Sequence, residues 1–87
     1  MYKTVEKELV ASCSGINYYV IFESGSLSGR AYGIMAESID DTTDFQSAEN
    51  LFFTIEEARH YCKWFSENEV YPVTLREVLA NIYHIEV

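Results

Sequence analysis

Proline is nearly absent from this chain, with one in 87 residues, and glycine is scarce at four, so the sequence holds no linker that would divide it into separate units. No internal repeat and no low-complexity tract interrupts it either. A chain of this length has room for one hydrophobic core. Long apolar runs are also missing. The longest is YYVIF, residues 18–22, far short of the roughly 20 residues a membrane helix needs. The start, MYKTVEKELV, alternates charges with apolar residues where a signal peptide would be continuously apolar, so the expectation is a cytoplasmic protein with no membrane association. Basic residues are few: six, against fourteen acidic ones, give a formal charge of −8. That balance repels nucleic-acid backbones and anionic lipid, which argues against direct nucleic-acid binding and leaves a basic partner or plain solubility as its meaning. Cysteines number two, Cys13 and Cys62, without CxxC spacing, and a reducing compartment would keep both as thiols.

What is present is a dense apolar pattern, 48% hydrophobic and 15% aromatic. Residues 2–11 read as a strand with Val5, Leu9 and Ala11 on one face and Glu6 and Glu8 on the other. SCSG, residues 12–15, is a turn by composition. INYYVIFE, residues 16–23, is apolar on both faces, as a strand in the middle of a sheet would be. The stretch SGSLSGR, residues 24–30, has the glycines and hydroxyls of a phosphate loop but leads into the alternation of Tyr32, Ile34 and Ala36. It is flanked by strands and lacks a following helix, so it reads as a hairpin loop with Gly25 and Gly29 free to take positive φ. Strands are expected at 31–37 and 49–53. The segment SIDDTTDFQSAEN, residues 38–50, reads as a solvated acidic connection; its aspartates lack the ligand spacing of a calcium loop.

Thr54 opens TIEE, in which the threonine can cap a helix and Glu57 occupies the capping-box position. A helix is expected over 55–67, with Ile55, Ala58, Tyr61, Cys62 and Phe65 forming its apolar stripe and Trp64 beside it. A second is expected over 74–84, after Pro72, with Thr74 as cap and Leu75, Val78, Leu79, Ile82 and Tyr83 as its stripe. The order predicts one domain spanning residues 1–87 of the α+β class, an antiparallel four-stranded meander sheet with a C-terminal pair of helices packed on one face. Alternation then sends Ile16, Tyr18, Val20, Phe22, Ile34 and Phe53 to the helices. Tyr19, Ile21, Met35 and Phe52 go to the opposite face as a candidate interaction patch.

Catalytic and metal chemistry finds no footing. His60 and Cys62 lie two apart on one helix and point apart, so Cys13, His60, Cys62 and His84 cannot form a zinc site without unwinding it. Nothing near Cys13 marks it as an activated nucleophile. Glu56 and Glu57 diverge around the helix and suit its N-terminal dipole. No catalytic residue, cofactor or metal is therefore assigned, and the chain is read as a non-enzyme.

The strand YYVIF, the triplet Tyr32-Gly33-Ile34 and the closing VYPVTLREVLANIY resemble a family of short uncharacterised proteins of Gram-positive, largely anaerobic bacteria, a domain of unknown function. That resemblance spans most of the chain and implies a bacterial cytoplasmic origin, with no assigned activity and no catalytic residue carried over. The expected function is a non-catalytic protein–protein interaction or regulatory module, acting as a homodimer or on a protein partner. The alternative is an acidic nucleic-acid mimic of the phage type, with Asp40, Asp41, Asp44, Glu49, Glu56 and Glu57 standing in for phosphates.

Overall fold

Alternating apolar residues in the first half of the chain and helical spacing in the second give a two-layer α+β fold in the computed structural model, which describes residues 4–24 and 32–83. Four strands, β1 (Thr4–Cys13), β2 (Ile16–Ser24), β3 (Tyr32–Ser38) and β4 (Phe45–Phe52), form an antiparallel meander in the order β1-β2-β3-β4. Helix α1 (Ile55–Glu67), a 3-10 turn (Pro72–Thr74) and helix α2 (Leu75–Tyr83) follow. Both helices cover the same sheet face. The core joins Ile16, Tyr18, Val20, Ile34, Ala36, Ala48 and Phe52 of the sheet to Ala58, Cys62, Phe65, Leu75 and Leu79 of the helices. The loop reading of residues 25–31, including Gly25 and Gly29, lies outside the described residues.

Local chemistry accounts for most boundaries. Cys13 pairs with Ile16 across a two-residue turn, in which Ser14 and Gly15 take φ of 52° and 78°. Both values are positive, the arrangement that matches the right-handed twist of a tight hairpin. The Thr54 hydroxyl accepts from the Glu57 amide at 3.2 Å and caps α1, as its sequence position predicts. Asn68 closes α1, with its own amide and its side chain both donating to the Trp64 carbonyl.

The structure corrects four details. Strand β4 begins at Phe45, where the sequence suggested residue 49, because an edge strand with solvent-facing polar residues shows little apolar alternation. The β1–β2 register shifts between Leu9 and Ala11, so Leu9 pairs with Tyr19 and Ala11 with Tyr18, and the two fall on opposite faces. Thr74 does not cap α2; its hydroxyl donates to the Tyr71 carbonyl and belongs to the 3-10 turn. Phe52 and Phe53 exchange the places expected of them: Phe52 is fully buried under the helices and Phe53 is 60% exposed.

The last correction follows from the pairing of β4 with β3, which places Phe52 on the face of Ile34 and Ala48. Tyr32 pairs with Phe52 and Ile34 with Ala48, so two steps along β3 are matched by four along β4. The surplus backbone of β4 rises over Gly33. A Cβ there would collide with the Ala48 carbonyl oxygen and sit 2.9 Å from the Glu49 Cα. Glycine permits the crossing, and because the surplus is two residues, an even number, Ala48 and Phe52 stay on the same face and both enter the core.

Candidate functional site

Strand β2 divides its side chains between two unlike surfaces. Tyr18 and Val20 are fully buried beneath the helices. Tyr19 and Ile21 lie on the other face, which none of the described elements covers; Tyr19 pairs with Leu9 and Met35, and Ile21 with Lys7 and Gly33. Around them is a hollow of about 270 Å³ lined by Ile21, Met35 and Phe45, with Glu6, Lys7, Glu37 and Thr42 also contributing to its wall. Ile21 is 5% exposed and forms the floor, Tyr19 and Met35 are half-buried, and Leu9 and Phe45 are exposed.

A polar network borders this hollow. The Asn17 amide donates to the Tyr19 hydroxyl at 3.3 Å, and that hydroxyl donates to Glu37 Oε1 at 3.4 Å. Lys7 Nζ stands 3.9 Å from Glu37 Oε2 and 4.6 Å from the Tyr19 ring centroid, within reach of a cation–π attraction. The Glu37 side chain is 14% exposed and that of Lys7 50%. A mostly buried carboxylate is thus matched by a cation whose other side faces water.

The candidate patch is accordingly Tyr19, Ile21 and Met35, with Leu9 and Phe45 added and Phe52 removed. Phe45 belongs to the segment 38–50 that the sequence reads as a solvated acidic connection. Leu9 was hidden by the register shift, which no feature of the sequence announces.

The candidate acidic surface divides. Asp40, Asp41 and Asp44 sit in the β3–β4 connection, whereas Glu56 and Glu57 occupy the first turn of α1, beyond the far end of β4. These groups are separated by about the length of a seven-residue strand, roughly 20 Å. Glu49 is exposed on β4 between them. Asp41 also has local employment: its Oδ1 accepts from the Thr43 amide and hydroxyl, and those two donors hold its carboxyl below the usual range. Its carbonyl accepts from the Asp44 amide at 2.9 Å. The aspartate builds the turn.

Elsewhere the polar chemistry is structural. The Ser14 hydroxyl donates to Glu69 Oε1 at 2.7 Å, joining the first hairpin to the end of α1, and both residues have left-handed backbone, with φ of 52° and 50°. Tyr18 donates to the Val70 carbonyl at 2.8 Å, and its burial pushes the phenol up to about 12. Burial likewise pushes the Cys62 thiol up to about 12. Cys13 and Cys62 are both free. His60 is exposed and edge-on to the Tyr61 ring.

The sheet edges are guarded. Arg76 of α2 donates through Nε and a terminal nitrogen to the Ser47 carbonyl of β4, at 3.3 and 3.2 Å. Edge strand β1 carries its register shift, and Arg59 of α1 grips its Glu8 through two hydrogen bonds of 2.8 and 2.9 Å. Both features hinder strand addition. Among the described residues no helix is long and apolar enough to cross a membrane.

The chain matches no protein-family model, no curated protein and no solved structure. Its function is therefore argued from its own geometry.

Proposed function

We propose that this protein is a non-catalytic protein–protein interaction or regulatory module that works through the uncovered face of its sheet. The observation that carries this reading is the asymmetry of the sheet. One face is closed by two helices, while the other presents Leu9, Tyr19, Met35 and Phe45 around a hollow floored by Ile21. Contiguous apolar surface of this kind usually marks a contact. Guarded edges favour docking on the face over pairing at its margin. The acidic nucleic-acid mimic is the weaker reading, since a decoy needs its carboxylates along one track and here they lie at both ends of β4, with Asp41 committed to its turn.

The test compares the double variant Tyr19→Ser, Met35→Ser with Phe53→Ser in co-precipitation and light scattering. Phe53 is more exposed than either and lies outside the patch. Association with a partner or a second copy should be retained by Phe53→Ser and lost by the double variant. Association that survives in the double variant, at unchanged stability, contradicts the proposal.

A further inference from the structure

We infer that the hollow takes a basic segment of a partner protein. An aliphatic or aromatic side chain enters over Ile21 and Met35, and an adjoining lysine or arginine takes the station between the Tyr19 ring and Glu37 that Lys7 now fills. The inference rests on the reading of the open face as a contact surface and adds the chemistry of its occupant.

Three observations select that occupant. The first is size. At about 270 Å³ the hollow lies at the lower limit for small-molecule pockets, which enclose most of a drug-sized ligand, and an apolar side chain fits it better than a cofactor. The second is charge. The chain carries −8, and Lys7 is the only basic residue on this face among the described residues, already matched by Glu37. Asp40, Asp41 and Asp44 lie on the adjoining connection. A second copy would bring the same charge to the same face, and a nucleic acid would bring its phosphates. A cationic segment is attracted by both the local and the net charge.

The third observation is Lys7 itself. An aromatic face and a carboxylate converging on one ammonium group form a cation station, and here the protein's own side chain fills it. Its hold is loose: the ion pair spans 3.9 Å and Lys7 is half exposed, so the side chain can swing into water at little cost. Glu37, mostly buried, cannot follow it. A partner's lysine or arginine that replaces Lys7 leaves Glu37 matched and returns the Lys7 ammonium to solvent.

The experiment titrates isotope-labelled protein with three short synthetic peptides of equal length, one of lysine and leucine, one of lysine and serine, and one of glutamate and leucine, followed by amide chemical shifts. Light scattering on the protein alone runs beside it. The lysine–leucine peptide should bind most tightly and shift the amides of Tyr19, Ile21, Met35, Glu37 and Phe45. Glu37→Gln should weaken it by about tenfold, because a neutral amide replaces the charged acceptor that faces the peptide's ammonium group. Lys7→Ala should tighten it several-fold by vacating the station and removing a like charge. Met35→Gln should weaken the lysine–leucine peptide and leave the lysine–serine peptide unchanged. Thermal melts of each variant separate a binding defect from a folding defect.

Equal binding of the two lysine peptides, with shifts confined to the aspartates and to Glu56 and Glu57, overturns the inference. So does failure of all three peptides to bind. If the glutamate–leucine peptide or a second copy occupies the face and Met35→Gln abolishes this, the contact-surface reading stands and the basic occupant is wrong. If Lys7→Ala weakens binding of the lysine–leucine peptide, Lys7 contacts the partner and is not a stand-in for it, and the exchange fails.

Discussion

Tyr18 and Tyr19 are consecutive in the chain and live in opposite worlds. Tyr18 is fully buried, its hydroxyl donated to the Val70 carbonyl at 2.8 Å, and it pins the end of α1 to the sheet. Tyr19 lies on the uncovered face, its hydroxyl shared with Asn17 and Glu37 and its ring under Lys7. The same residue type, one pleat apart, secures the fold on one side and furnishes an adaptable polar and aromatic surface on the other. Alternation along β2 is what lets one strand do both.

The comparison breaks most visibly at the adjacent phenylalanines. Phe52→Ala should cost about 3–5 kcal/mol, a large part of the roughly 5–10 kcal/mol available to a domain of this size. Phe53→Ala should cost under about 1 kcal/mol, since most of that ring already meets water. Urea denaturation of the two variants checks this, and equal losses would mean that the helices do not cover Phe52 in preference to Phe53.

Gly33→Val attacks the crossing of β4 over β3. The new side chain meets backbone at Ala48 and Glu49, which cannot rotate away, so a loss of about 1–3 kcal/mol is expected. Disruption of the Ile34–Ala48 pairing should appear in amide exchange. A Gly33→Val protein of undiminished stability would remove the crossing from the account.

Tyr18→Phe should cost about 1–2 kcal/mol, because the Val70 carbonyl then has no partner in a dry setting. Tyr19→Phe should cost under about 0.5 kcal/mol, as water can replace its surface hydrogen bonds. Alkali provides a gentler test of the covered face. Burial raises Tyr18 from 10.0 to about 12 and Cys62 from 9.0 to about 12, so the folded state holds both protons more tightly than the unfolded chain. Their contribution is complete below the unfolded values and lost as pH rises toward 12. The urea midpoint should fall above about pH 9, and Tyr18→Phe should fall less steeply than wild type across the upper part of that window. A midpoint insensitive to pH there would place both groups in contact with solvent.

The fold class was legible because its signals are local: two-sided apolarity in β2, the Thr54 cap, and stripes at helical spacing in α1 and α2. The placement of Tyr19, Ile21 and Met35 followed from the same alternation. What escaped reading depended on pairing between distant segments. The register shift at Val10 separated Leu9 from Ala11, and the pairing of β4 with β3, which turns Phe52 inward and Phe53 outward, joins segments that local alternation does not connect. Edge strand β4 was hidden because Gln46, Ser47 and Glu49 are polar, and its partner Arg76 lies 29 residues further on. The Lys7–Tyr19–Glu37 cluster gathers residues from three strands, which spacing along one chain cannot announce.

The most direct test of the division between the two faces is to measure denaturation midpoint and lysine–leucine peptide affinity together for Tyr18→Phe and Tyr19→Ser. The account predicts that Tyr18→Phe lowers the midpoint and keeps the affinity, while Tyr19→Ser keeps the midpoint and loses affinity. If Tyr19→Ser lowers the midpoint as far as Tyr18→Phe and leaves affinity unchanged, the open face is a second part of the core and the account is contradicted.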